Sequence, residues 1–80
     1  MEQLYINIKN RRKELGMTQE QLAHKIGYTD RSMIAKIESG VVDINISTMK
    51  KIAKALNTEP IELIRYLWDD EEENNAKETT

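Results

Sequence analysis

Apolar residues recur at helical spacing along most of the chain and predict an all-α fold of five helices. Leu4, Ile8 and Leu15 lie close to this spacing, which predicts a first helix from about Glu2 to Leu15. Gly16 follows as a C-terminal cap would, because glycine readily adopts the left-handed conformation that ends many helices.

The second and third predicted helices are short and joined by few residues. Thr18 and Gln21 have the spacing of a capping box, in which each side chain accepts from the other residue's backbone N–H. Gly27 ends the helix that starts there. Ala23 lies near its centre, and a small residue at that place allows two helices to cross closely. This pattern predicts two crossing helices around a tight turn.

The third helix is predicted to present a polar face outward. Thr29 or Asp30 caps its start and Gly40 ends it. Ile34 and Ile37 face inward at i, i+3 spacing. The residues then turned outward are Arg31, Ser32, Ala35, Lys36 and Ser39. A face of short side chains with an arginine at its leading end fits the major groove of DNA.

Two further helices are predicted after an extended loop over residues 41–46. Ser47 caps the fourth helix, and Asn57 ends it in a left-handed conformation. Thr58 and Pro60 open the fifth, since proline in a first turn lacks only an N–H that would have no helical partner. The fifth helix carries more apolar residues than one face needs: Ile61, Leu63, Ile64, Leu67 and Trp68.

Charge divides the chain into two unlike parts. Residues 1–68 contain 11 Lys and Arg against eight Asp and Glu residues, whereas residues 69–80 contain one Lys against six acidic residues. The net charge of −2 therefore averages a mildly basic part and an acidic tail. We predict a DNA-binding domain over residues 1–68 and a disordered tail over residues 69–80, because like charges repel along a segment with almost no apolar side chain.

Composition argues against several classes of protein. The chain has no cysteine, so it has no disulfide or thiolate site, which fits a reducing cytoplasm. No apolar run approaches the ~18 residues of a membrane span, and the stretch MEQLYINIKNRRK lacks the apolar run typical of a signal peptide. His24 has no ligand-spaced cysteine or carboxylate pair, so we expect neither a metal nor another cofactor. No nucleophile–base pair or glycine-rich phosphate loop occurs, so we expect no enzymatic activity.

Two stretches carry a family resemblance, MTQEQLAHKIGYTDRSMIAKIESG and STMKKIAKALNTEPIELI. Over about Leu4 to Leu67 the chain resembles the phage-repressor, Cro-like helix-turn-helix family, also called the XRE family. The resemblance implies a five-helix, repressor-like domain whose second helix braces on the DNA backbone while the third reads bases. The turn Tyr-Thr-Asp-Arg is one residue longer than the family's commonest spacing, which leaves the register of the third helix open by one residue.

The resemblance also implies roles for individual residues. The positions matching the family's base-reading residues are Arg31, Ser32 and Lys36, with Ala35 beside them. Gln19 matches a glutamine that contacts a phosphate, and Arg12 with Glu38 matches an ion pair between the first and third helices. The alternative interpretation of the outward polar residues of the third helix is that they are ordinary solvated surface. Asn45 and Ser47 either contact the DNA backbone by amide and hydroxyl or are solvated loop residues.

The apolar cluster of Ile64, Leu67 and Trp68 has two interpretations. It either closes the core at the C-terminal end or forms a dimer contact. The second fits the usual binding of helix-turn-helix proteins to two half-sites about one helical turn apart. An exposed tryptophan beside aliphatic residues also suits a self-complementary patch.

We therefore predict a sequence-specific DNA-binding transcriptional regulator, a repressor that binds a partly palindromic operator as a homodimer. Its partner is then double-stranded DNA and not a membrane. Two alternatives use the same fold. In the first alternative, the chain is an antitoxin or anti-repressor that holds a protein partner through its fifth helix or acidic tail. In the second, it is the N-terminal DNA-binding part of a longer repressor.

Overall fold

Residues 2–64 are described by the computed structural model, and within this range the chain forms helices and turns without a strand. The complete helices are α1 (Glu2–Glu14), α2 (Gln19–Lys25), α3 (Ser32–Glu38) and α4 (Ile46–Ala55). The chain is helical again over residues 60–64, labelled α5. The predicted all-α class is confirmed. Across residues 2–64, no helix combines the length and the apolar character needed to cross a membrane.

One apolar core joins the helices of the described range. α2 packs against α3 and α4, and α1 packs against α3. Ala23 is 0% exposed, and its small side chain leaves room for the neighbouring helices to approach α2. Leu63 of α5 is 3% exposed and closes the core. The largest fully buried side chains are Leu4, Ile8, Leu22, Ile34, Ile37, Ile52 and Leu56.

The helices α1 to α4 end in the same backbone arrangement. A left-handed residue follows each of them, and the N–H of the next residue donates to the carbonyl five positions back, at 2.9 to 3.0 Å. This is the Schellman motif, which gives partners to carbonyls that a helix end would leave without one. The left-handed residues are Gly16, Gly27, Gly40 and Asn57. All four are residues at which the sequence pattern predicts a helix to be terminated, including the left-handed Asn57.

The predicted start of α4 is wrong by two residues. α4 begins at Ile46, and its N-cap is Asn45, whose Oδ1 accepts from the Thr48 N–H at 2.8 Å. Ser47 instead lies within the first helical turn. Asn and Ser are comparable N-caps, and the apolar spacing further along the helix is the same with either start. The sequence pattern therefore does not discriminate between the two.

Two smaller corrections concern α1 and α3. Leu15 was predicted to continue the inward stripe of α1, but the helix ends at Glu14 and Leu15 is 40% exposed in the turn that follows. At α3 the N-cap position belongs to Arg31, which makes no side-chain capping bond. Of the two predicted capping side chains, it is Asp30 that accepts from the first turn, at the Ser32 N–H.

Part of the predicted architecture lies outside the described residues. Leu67 and Trp68 fall there, as do the acidic segment over residues 69–80 and the domain boundary at residue 68. Ile64, the remaining member of the predicted dimer contact, is half-buried and packs against the core.

Candidate nucleic-acid interface

The turn between α2 and α3 is held by both backbone and side-chain bonds. Gly27 has a φ of 94°, and the Tyr28 N–H donates to the Ala23 carbonyl at 2.9 Å. His24 extends from the last turn of α2, and its Nε2 donates to the Thr29 carbonyl at 3.2 Å. These contacts fix the direction in which α3 leaves the turn. Among residues 2–64, no group of three or more His, Cys, Asp or Glu side chains is placed as metal ligands would be.

Asp30 lies in this turn, directly before the start of α3. Its Oδ1 accepts from the Ser32 N–H at 2.8 Å. Hydrogen bonds from the Ser32 backbone, and then from the Ser32 hydroxyl, lower the pKa of Asp30 below its ordinary value, with smaller contributions from His24 and Lys36. The carboxylate is therefore ionised at neutral pH and is held beside the leading end of α3.

The outward face of α3 is polar and lies over a fully buried inner face. Ile34 and Ile37 are 0% and 1% exposed, so their packing sets the rotation of the helix about its axis. The residues predicted to read bases are Arg31, Ser32, Ala35 and Lys36; Ala35 is half-buried and the other three are exposed. Residues 32, 35, 36 and 39 share one side of the helix because residues three or four apart are neighbours on a helix surface.

Arg12 and Glu38 form a bidentate ion pair between α1 and α3. Arg12 Nε lies 2.7 Å from Glu38 Oε2, and Arg12 Nη2 lies 3.0 Å from Oε1. The two side chains are only 9% and 3% exposed. The remaining guanidinium donor Nη1 bonds the Met17 carbonyl at 2.7 Å. The paired planar geometry suits arginine and carboxylate, and removing either partner would leave a buried charge without its counterion.

Gln19, at the first residue of α2, extends this cluster. Its Nε2 donates to Glu38 Oε1 at 3.1 Å, so one carboxylate connects α1, α2 and α3. No sequence pattern predicts this contact, because Gln19 and Glu38 are 19 positions apart and meet only once the helices pack. The Gln19 side-chain amide keeps a second N–H, which is the donor that a phosphate contact would need.

Comparison with known proteins identifies the fold around this face. A family model described as "Helix-turn-helix" matches residues 8–63, which is more than half of the chain and includes α2, the turn and α3. The chain belongs to the XRE-type helix-turn-helix family of DNA-binding regulators. A Methanothermobacter thermautotrophicus protein named an uncharacterized HTH-type transcriptional regulator is 43% identical over 63 residues, covering 79% of this chain and 90% of that protein. No solved structure is significantly similar to the chain.

Membership of the helix-turn-helix family relates the geometry to DNA. In such proteins the second helix of the motif lies in the major groove while the first crosses the backbone. Here these helices are α3 and α2. The Glu38 carboxylate thus connects α3 to α2 through Gln19, and to α1 through Arg12.

The loop before α4 is attached to α1 by a side-chain bond. The Tyr5 hydroxyl donates to Asp43 Oδ1 at 2.9 Å. Asn45 and Ser47, which were predicted to contact the DNA backbone, are both exposed at the start of α4. The Asn45 side-chain oxygen is already engaged as the N-cap, so only its amide N–H groups are available for a phosphate.

Arg11 is a structural residue that sequence reasoning did not detect. It lies next to Arg12 on α1, and its Nε donates to the Leu56 carbonyl at 3.1 Å while its Nη2 reaches the Asn57 carbonyl. A cation at a helix C-terminus is favourable because the last carbonyls carry partial negative charge. Arg11 therefore attaches α1 to the end of α4.

Proposed function

We propose that this protein is a sequence-specific transcriptional repressor that binds a partly palindromic operator as a homodimer. The observation that carries the proposal is the exposed polar face of α3 over the buried Ile34 and Ile37. Membership of the helix-turn-helix family supports DNA binding, and the relative named as a transcriptional regulator supports a role in transcription.

In this proposal each protomer inserts α3 into one of two successive major grooves. Arg31 donates to guanine O6 and N7, Ser32 and Lys36 contact neighbouring base edges, and Ala35 packs against a thymine methyl group. Gln19, Asn45 and Ser47 hold the DNA backbone and set the orientation of α3. Repression follows from occupancy, because the bound dimer excludes polymerase or another regulator. The protein acts in the cytoplasm without a cofactor and without catalysis.

The experiment that tests the proposal is selection of bound sequences from a random double-stranded DNA pool. We expect a two-fold symmetric motif with half-site centres about 10 base pairs apart, because two recognition helices related by a dimer axis are spaced by one helical turn. Affinity for the selected site should fall steeply with salt, because cationic contacts release counterions from the phosphates. Failure to enrich any sequence would contradict the proposal.

Variants of the selected complex then separate base reading from backbone binding. Arg31→Ala should lose about 1 to 3 kcal/mol of discrimination at one base position in each half-site, whereas Gln19→Ala should weaken all sites alike. Lys51→Ala is the control, since it removes a positive charge from the exposed side of α4 without changing α3. If Arg31→Ala leaves the sequence preference unchanged, other residues of α3 contact the bases and the assigned register is wrong.

A second candidate function is a protein-interaction module that holds a partner through the acidic segment over residues 69–80. The observation in its favour is that six acidic residues stand against one lysine in that segment. The same selection experiment separates the two functions. A module that acts only on a protein partner enriches no DNA sequence, whereas a repressor does.

A further inference from the structure

Asp30 places a negative charge on the surface that would face DNA in the proposed function. It lies one residue before Arg31, at the leading end of the face that enters the groove, and it is exposed. It also lies within electrostatic range of Lys36, another residue of that face. A carboxylate in this position repels the phosphate backbone. This charge therefore opposes DNA binding unless the carboxylate accepts a hydrogen bond from a base.

The carboxylate is held in one place and keeps acceptor capacity. Oδ1 accepts from the Ser32 N–H at 2.8 Å, which ties the side chain to the first residue of α3. An ionised carboxylate has about four lone-pair sites on its two oxygens and no hydrogen to donate. Bonds from Ser32 use only part of this capacity, so an outside donor can still be accepted.

We infer that Asp30 reads a base of the operator by accepting a hydrogen bond from the exocyclic N4 amine of cytosine. This inference rests on the proposed function and adds a specificity residue to it. The only hydrogen-bond donors at base edges in the major groove are cytosine N4 and adenine N6. Adenine also presents its N7 acceptor next to N6, which repels a carboxylate, whereas cytosine presents the donor alone. A group that only accepts therefore favours cytosine.

Arg31, the residue after Asp30, has the opposite hydrogen-bonding requirement. Its guanidinium only donates, and guanine presents two acceptors, N7 and O6. The consecutive residues Asp30 and Arg31 thus form an acceptor followed by a donor at the leading end of α3. This pair suits cytosine and guanine on opposite strands of one base pair or of two adjacent base pairs.

The test compares the sequence preference of the wild-type protein with that of Asp30→Asn and Asp30→Ala in the random-pool selection. Asparagine keeps a side-chain oxygen for the Ser32 N–H, and so keeps the start of α3, but replaces the other oxygen with an N–H donor. We expect the wild type to prefer cytosine at one position per half-site by about 5- to 150-fold, the range of a good base contact. Asp30→Asn should shift that position toward bases that present acceptors, and Asp30→Ala should show no preference there.

Glu20→Gln is the matched control, because Glu20 is also an exposed carboxylate near the turn but lies on α2. It should raise affinity for all sequences by one factor without changing any preference. If Asp30→Asn behaves in the same way, Asp30 acts only through charge and the inference is wrong. Circular dichroism of both Asp30 variants verifies that α3 is retained. A wild-type protein that enriches no sequence at all refutes the proposed function, whereas a motif that Asp30→Asn leaves unchanged refutes this inference alone.

Discussion

Tyr5 and Asp43 show how one polar pair can attach a loop to the core. Tyr5 is 6% exposed on α1, and its hydroxyl donates to Asp43 Oδ1 at 2.9 Å across 38 positions of sequence. The bond to Asp43, followed by desolvation and the charge of Asp43, raises the pKa of Tyr5 above its ordinary value of 10.0. The neutral, hydrogen-bonded hydroxyl is thus the form that the folded protein favours.

The raised pKa of Tyr5 predicts a stability difference that depends on pH. Folding favours protonated Tyr5, so its contribution is complete below the unfolded-state pKa near 10 and is lost as pH rises through the higher folded-state value. Tyr5→Phe should therefore lower the urea midpoint at about pH 7, and the gap from wild type should narrow at about pH 11. Asp43→Asn is the control, since it should move the ultraviolet titration of Tyr5 back toward 10.0. A gap that stays constant with pH would contradict this account.

At the scale of helices, the start or end of a helix was predictable where local chemistry decides it. The Thr18 and Gln21 capping box is present, with bonds of 2.8 and 3.0 Å. Glycine follows α1, α2 and α3 at their Schellman ends because it adopts positive φ without steric cost, and Asn57 takes the same place after α4. The start of α4 was not predictable, because Asn45 and Ser47 both satisfy the local rules and the sequence does not rank them.

In the candidate interface, too, local features were predictable from the sequence and contacts between distant residues were not. Exposure of Arg31, Ser32 and Lys36 follows from the spacing of the isoleucines beneath them, which a sequence displays directly. Gln19 and Glu38, which are in contact, are 19 positions apart. The bonds from Arg11 to the end of α4 join residues 45 and 46 positions apart. Such contacts depend on how the helices pack, which no local pattern encodes.

The two residues at the start of α4 make the capping assignment testable. Asn45→Ala should reduce the free energy of unfolding by about 0.5 to 2 kcal/mol, the usual effect of losing an N-cap, and Ser47→Ala should change it little. Urea denaturation followed by circular dichroism measures both. Equal effects of the two alanine variants would place the cap elsewhere.

A third variant tests the DNA role of Asn45 separately. Asn45→Asp keeps the capping oxygen and therefore the stability of α4. If the Asn45 amide contacts a phosphate, the carboxylate should weaken binding to all DNA sites, because it replaces a donor with a negative charge. Unchanged DNA affinity for Asn45→Asp would leave Asn45 with a capping role alone.

At the scale of the whole molecule, α5 carries apolar surface that the core does not use. Leu63 is buried, but Ile61 on the same short segment is 56% exposed. Asn7 ties α5 to α1, since its buried side-chain amide donates to the Leu63 carbonyl. The position of Ile61 is thereby set relative to the core. We therefore add Ile61 to the proposed dimer contact, of which Ile64 is half-buried against the core while Leu67 and Trp68 lie outside the described residues.

The dimer proposal predicts that changes on this surface affect paired half-sites only. Trp68→Ala should weaken the protein–protein contact by about 2 kcal/mol or more, as for other central aromatic residues, and Ile61→Ser should act in the same direction. Sedimentation should show dissociation, and affinity for DNA with two half-sites should fall while affinity for a single half-site stays the same. Val41→Ser is the control, because Val41 is 72% exposed in the loop before α4. If Trp68→Ala and Val41→Ser behave alike, dimerisation does not use Trp68. If wild type binds one and two half-sites with equal affinity, the protein does not bind its operator as a dimer.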